Sequence, residues 1–259
     1  MPTPFSLGVF SGIIGTSIKK VLAGIPFGRP GTRVELFENF PQAPQLNAAV
    51  GIAANVNWEA IGEADFASSD VIFAEKGGIT ISTPALTPAV NDHAEIRPHL
   101  DTLQSQWAKA GLWGSENSVQ MEAIIRLSSL VACAVLVGLK EDTTIPADME
   151  VIGSDDNATF FFFSDDATVG GTKWRMVENV SGVDTSADSD VVAVTTEDVV
   201  LSIRIGSDLR PAYYINGKHI RTGPALTTAI NYVPFVAVMT DTTTVKTLDI
   251  RSVRMSRLV

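Results

Sequence analysis

From about Val34 onward the chain repeats with a period of two. Between Val119 and Leu127, Val119, Met121, Ala123, Ile125 and Leu127 alternate with Gln120, Glu122 and Arg126, and only Ile124 breaks the polar side. A period of two sends successive side chains to opposite faces, so this segment predicts a half-buried antiparallel strand. Val199, Leu201, Ile203 and Ile205 repeat the pattern against Ser202 and Arg204. Val131 to Leu139 is apolar throughout, which fits a central strand covered on both faces. Further strands are predicted at Asp70–Ala74, Gly78–Ser82, Thr159–Phe163, Thr172–Val177, Val191–Val194, Tyr232–Met239 and Lys246–Met255.

Turn chemistry separates these runs. Lys76-Gly77-Gly78, Gly170-Gly171 and Asn216-Gly217 supply residues that tolerate positive φ, and Asn216-Gly217 predicts a tight hairpin between Tyr213–Ile215 and Lys218–Ile220. About ten short strands in this grammar predict an all-β chain, an antiparallel sandwich of two packed sheets. Leu100, Leu103 and Trp107 have helical spacing and mark one short helix or ordered loop, and the Asp- and Ser-rich stretch Ser181–Asp190 reads as a surface loop. The run Phe160–Phe163 places two phenylalanines on each face of one strand. One pair enters the core, and the other must be covered by a loop, by the N-terminal segment or by another subunit.

Charge divides the chain. Residues 1–33 hold Lys19, Lys20, Arg29 and Arg33 with no Asp or Glu, a charge of +4; since the whole chain carries -10, the remaining residues carry -14. The same 33 residues contain six glycines and four prolines, a density that opposes a long helix or a central strand. The organisation expected is a basic, extended N-terminal arm over residues 1–33 and a sandwich over residues 34–259. Phe5, Phe10, Lys19, Lys20, Phe27, Arg29 and Arg33 are its expected assembly contacts, because apolar anchors beside cations complement an acidic surface. The acidic body disfavours nucleic acid as a partner. No run reaches the roughly 18 apolar residues of a membrane helix, and Lys19 and Lys20 follow the apolar start where a secretory signal has its basic residues first.

Little in the sequence points to catalysis. Cys133 lies within an apolar run and reads as a small buried hydrophobe. His93, His99 and His219 have no metal-ligand spacing, so no metal or other cofactor is expected. His219 follows the hairpin turn and reads as solvated. His93 and His99 sit with Asp92, Glu95 and Asp101 in an irregular segment, where a catalytic His–carboxylate pair is conceivable without any nucleophile motif beside it. Glu63-Ala64-Asp65-Phe66 is similar to the paired-carboxylate strand of laminarinase-type glucanases, but it continues Ala67-Ser68-Ser69-Asp70 and lacks the further Glu. The acidic groups Asp155-Asp156-Asn157, Asp165-Asp166 and Asp184–Asp190 read as solvated turns, and Trp58, Trp107, Trp113, Trp174, Tyr213 and Tyr214 as core or interface packing, with sugar stacking as the alternative where they line a groove.

Several strings together carry a resemblance: Ile96-Arg97-Pro98-His99-Leu100-Asp101-Thr102, Trp113-Gly114-Ser115-Glu116-Asn117, Val137-Gly138-Leu139, Gly182-Val183-Asp184-Thr185, Tyr214-Ile215-Asn216-Gly217, and the ending from Pro234-Phe235-Val236-Ala237-Val238 through Leu248 to Ser256-Arg257. Over residues 40–259 the chain resembles bacteriophage virion proteins with a concanavalin A-like (LamG-like) jelly roll. The resemblance implies a non-enzymatic structural protein of a virion, a homo-oligomer bound to the major capsid protein or other virion proteins. The role expected first is capsid decoration or cementing through the arm. The alternatives are a carbohydrate-binding module of a tail fibre or spike, with a glycan as partner, and, after it, a glycan-degrading enzyme using Glu63 and Asp65.

Overall fold

The computed structural model describes residues 33–41, 43–46, 58–62, 65–84, 89–98, 113–141, 157–165 and 171–258. These form sixteen strands: β1 (Arg33–Glu38), β2 (Gln45–Leu46), β3 (Trp58–Gly62), β4 (Val71–Phe73), β5 (Ile79–Ser82), β6 (His93–Pro98), β7 (Gln120–Leu127), β8 (Cys133–Glu141), β9 (Asn157–Ser164), β10 (Lys173–Val180), β11 (Val183–Val192), β12 (Val199–Ile205), β13 (Pro211–Ile215), β14 (Lys218–Thr222), β15 (Tyr232–Thr240) and β16 (Thr247–Leu258). The first sheet runs β14-β13-β12-β7-β16-β5-β4, with β1 added on β16; the second runs β11-β10-β9-β8-β15-β6-β3-β2. Among the described residues every pairing is antiparallel except β2 with β3. The architecture is the expected antiparallel sandwich.

Alternation builds the space between the sheets. In β7, Met121, Ala123, Ile125 and Leu127 are buried while Gln120, Glu122, Ile124 and Arg126 are half-buried, as the period-two pattern requires. Val199, Leu201, Ile203 and Ile205 of β12 enter the same core, with Phe161, Phe163, Trp174 and Tyr213. The Tyr213 hydroxyl is buried and satisfied: it donates to the Val177 carbonyl at 3.1 Å and lies 2.6 Å from the Thr159 hydroxyl. β16 is twelve residues long because it serves two partners end to end: Thr247–Ile250 pair with β5, and Val253–Leu258 pair with β1. A bulge between Ile250 and Ser252 keeps its apolar side chains pointed inward on both stretches.

The turns follow their residue chemistry. Asn216 and Gly217 both have positive φ, 51° and 77°, and close the predicted hairpin of β13 and β14. Ser181 and Gly182, at 52° and 76°, close a second one that joins β10 to β11. This corrects the reading of Ser181–Asp190 as a loop. From Val183 the stretch is an edge strand that lies exposed along most of its length and, among the described residues, pairs with β10 alone. An edge strand open on both faces has no apolar stripe to betray it, and its aspartates guard the open edge. His93–Pro98 is likewise a regular strand where an irregular segment was expected.

The second sheet is apolar on both faces. Phe161 and Phe163 point into the sandwich, whereas Phe160 and Phe162 point outward into a separate cluster with Ala134, Leu136, Ala158, Phe235, Ala237 and Met239. The outward pair is closed off from solvent, at 2% and 6% exposed. Gly138 lies between Phe235 and Phe160 in the cross-strand register, and the two rings meet at 6.1 Å between centroids. A Cβ on Gly138 would come within 2.3 Å of the Phe160 Cβ and 2.4 Å of the Thr159 carbonyl. Gly138→Ala should therefore lower stability by roughly 1–3 kcal/mol, the usual cost of overpacking. Chemical denaturation measures it, and an unchanged midpoint would contradict this account of the glycine.

Candidate functional site

The outer face of the second sheet also carries charge. On β6 the alternation sends His93, Glu95 and Arg97 to one side; Glu95 opposes Ala237 on β15 and Ile61 on β3, and Arg97 opposes Glu59. The row continues from Ala237 through Leu136 and Phe162 to Arg175, so these ionisable groups share a face with the aromatic cluster. Lys140, at the far end of β8, reaches across the Phe235 ring, its Nζ 5.0 Å from the centroid, and donates to Glu95 Oε2 at 2.9 Å. Arg97 Nε donates to Glu59 Oε1 at 2.6 Å. His93, Glu95, Lys140 and Glu59 are all buried, Glu95 at 1% and Lys140 at 3% exposed.

Glu95 Oε1 is buried and has no hydrogen-bond partner. A buried acceptor left unpaired costs about 1–3 kcal/mol, which folding alone gives no reason to bear. Nor does stability explain the ion pairs, because buried pairs can often be exchanged for apolar residues at little cost. Charged groups concentrated on one face, desolvated and beside aromatic rings, make this face the candidate site. Both carboxylates are already committed to a cation, an arrangement that orients acceptors.

The outer face of the first sheet is of another kind. Phe37, Arg254, Glu122, Ser202, Tyr214 and His219 form one cross-strand row over six strands. Arg254 Nε lies 2.6 Å from Glu35 Oε1, Ser202 donates to Glu122 at 3.1 Å, and the Arg204 guanidinium covers the Tyr214 ring at 4.3 Å. Burial raises the Glu122 carboxyl above its ordinary range. Apart from the buried Ser202 these side chains are half-buried to exposed, a more open face than that of the second sheet.

The expected residues fall in different places. Arg33 is the first residue of β1, and its guanidinium donates to the Ser118 carbonyl at 2.6 Å and to the Ser256 hydroxyl at 3.1 Å. Phe5, Phe10, Lys19, Lys20, Phe27 and Arg29 lie outside the described residues, as do Glu63, His99, the Leu100–Trp107 stretch, Asp155, Asp156 and Asp166. Asp165 caps the start of β8, accepting from the backbone of Ala132 and Cys133. Cys133 is buried, and burial pushes its thiol up to about 12. Trp58, Trp113, Trp174 and Tyr213 are core residues, and His219 is exposed on its hairpin. The structure does bring His93 and Glu95 together, on one face of β6. Sequence reasoning missed Glu59 and Lys140. The signal for β6 was present in the alternation His93-Ala94-Glu95-Ile96-Arg97, whereas nothing local marks Lys140 as the partner of a residue 45 positions away. Among the described residues no group of three or more His, Cys, Asp or Glu is placed to hold a metal ion, and no helix is long and apolar enough to cross a membrane.

No family model matches this chain, and none of the curated proteins does. Solved structures do. A protein of unknown function from Shewanella oneidensis MR-1 superimposes with a TM-score of 0.59 at 12% identity, over 100% of this chain and 97% of that one. The Emp47p carbohydrate recognition domain gives 0.54 at 12%, over 90% and 100%. The Bacillus licheniformis β-glucanase gives 0.55 at 11%, over 88% and 99%. The fold is a concanavalin A-like jelly roll. At these identities the likeness defines the scaffold, and function has to be argued from the jelly roll's own residues.

The ion pair gives a test with two arms. Lys140→Met strands a buried carboxylate and should cost roughly 3–5 kcal/mol, while the double variant Glu95→Leu with Lys140→Met should recover most of that loss. Equal destabilisation of single and double variants in urea titrations would show that the pair itself holds the sheet.

Proposed function

We propose that this protein is a non-catalytic glycan-binding jelly roll and that the outer face of its second sheet, around Glu95, Lys140, Arg97 and Phe235, is the binding face. The observation that carries the reading is the buried, unpaired Glu95 Oε1 beside an ammonium and an aromatic ring. A sugar presents hydroxyl groups around its rim and apolar C–H faces. A carboxylate oxygen, a fixed cation and a ring plane match those two kinds of surface together. The scaffold is compatible with it, since neighbours of the same fold include a carbohydrate recognition domain and a β-glucanase. Carboxylates bound to cations favour holding a glycan over cleaving one. The face is closed to solvent, so binding has to open it. Calorimetric titration of the full chain with a panel of oligosaccharides should find at least one that binds and that loses tenfold or more in affinity to the Glu95→Leu, Lys140→Met variant. No binding by the wild type, or equal binding by the variant, would refute the proposal.

A second reading concerns location. The charge division, +4 over residues 1–33 against -14 for the rest, favours a sandwich tethered by its N-terminal segment, and the resemblance to virion jelly rolls supplies the particle. None of the three structural neighbours named above is described as a virion protein. On this reading the chain decorates a bacteriophage capsid or tail through residues 1–33. A chain lacking those residues should stay folded and fail to co-sediment with particles; decoration at full occupancy would dismiss the tether.

A further inference from the structure

The hydrogen-bond bookkeeping of the same face points to a ligand class. Resting on the glycan-binding reading above, we infer that the site selects sugars that present a donor at Glu95, uncharged or amino-bearing glycans, and discriminates against uronate and sulfated ones. The two cations that flank Glu95 are already taken. Lys140 is bound to Glu95 Oε2 and lies over Phe235, and Arg97 is bound to Glu59. What remains open is an acceptor, Glu95 Oε1, and a buried acceptor is completed only by an O–H or N–H. An acidic sugar brought to the same place sets a second negative group against a desolvated carboxylate, where water screens the repulsion least. A hydroxyl satisfies the open oxygen as a neutral donor, and a glucosamine-type ammonium satisfies it as a charged one, the stronger of the two. The net charge of -10 adds a long-range bias of the same sign, but one that salt removes.

The test compares three groups of probes on the full chain: uncharged hexose and N-acetylhexosamine oligosaccharides, glucosamine oligosaccharides, and uronate or sulfated oligosaccharides. Affinities are read by calorimetry at 0.15 M and at 1 M salt, where the screening length is about 3 Å. The best uncharged or amino probe should exceed the best acidic one at least tenfold, about 1.4 kcal/mol, and the bias against acidic probes should survive at 1 M salt. Glu95→Gln replaces the open acceptor with an amide that can present a donor, so the gap should shrink to within about threefold. Acidic probes binding as well as neutral ones would overturn this inference and leave the glycan-binding reading standing. A bias that vanishes in 1 M salt would overturn it too, by assigning the preference to overall charge. If Glu95→Gln does not fold, the salt comparison on the wild type decides alone. Absence of binding in all three groups overturns both this inference and the reading it rests on.

Discussion

The second sheet is organised by strands that are buried on both faces. β8, β9 and β15 are apolar nearly end to end, so alternation cannot send one side to solvent and the other to the core. Each such strand yields an inner and an outer apolar face. Phe160 to Phe163 shows the consequence in four residues: two rings fill the sandwich and two build a second cluster on its back. Gly138 then has to be a glycine, because the outer rings meet above it.

A sheet face that is shut off from water changes the meaning of every polar group placed on it. On the outer face of the first sheet, Glu35 is exposed and Arg254, Glu122 and Arg204 are half-buried, so water still reaches part of each pairing. On the outer face of the second sheet the same residue types lie among phenylalanines, and desolvation makes each pairing decisive. The inner core handles its polar atoms differently. The Tyr213 hydroxyl, pushed well above its ordinary range by burial and so kept protonated, is satisfied by Val177 and Thr159. Glu178 also has two partners on one oxygen, Thr185 and Arg221, while its other oxygen is unpaired. That carboxylate sits where β10 meets β14, at the margin of the inner core and away from the aromatic cluster. Glu95 and Glu178 thus lie in unlike surroundings: Glu178 is beside the Tyr213 hydroxyl and the Arg221 guanidinium, and Glu95 is beside Lys140 where that side chain crosses the Phe235 ring.

Much of the fold was legible from local pattern. β7, β12 and the β13–β14 hairpin are spelled out by alternation and by Asn216-Gly217, because each is a local device whose cause and effect lie within ten residues. β11 was not legible for the opposite reason. An edge strand owes its conformation to its partner β10, and its own composition of Asp, Ser and Thr reads equally well as a loop. β6 was obscured by three polar outward positions on a face that the alternation rule assigns to solvent, although the structure buries it. The candidate site was the least legible part. Its ion pairs join β3 to β6 and β6 to β8, across 38 and 45 residues of chain, and only the strand order of the sheet brings them together.

Strand order also explains why only one of the two polar ends of this face is closed to water. Reading outward from the centre of the second sheet, Leu136 and Phe162 give way on one side to Arg175 and Asp188, and on the other to Glu95 and, past it, Ile61. The Arg175–Asp188 pair lies next to the open edge and is half-exposed, so water reaches it and little binding energy is stored there. Glu95 lies inside, flanked by β3 and β15, with Lys140 bent over Phe235 to reach it. Placing the unpaired oxygen deep in the sheet and away from its edge is what gives a partner group something to gain: the penalty of the missing hydrogen bond is largest where water cannot relieve it, and so is the return when a ligand supplies the donor.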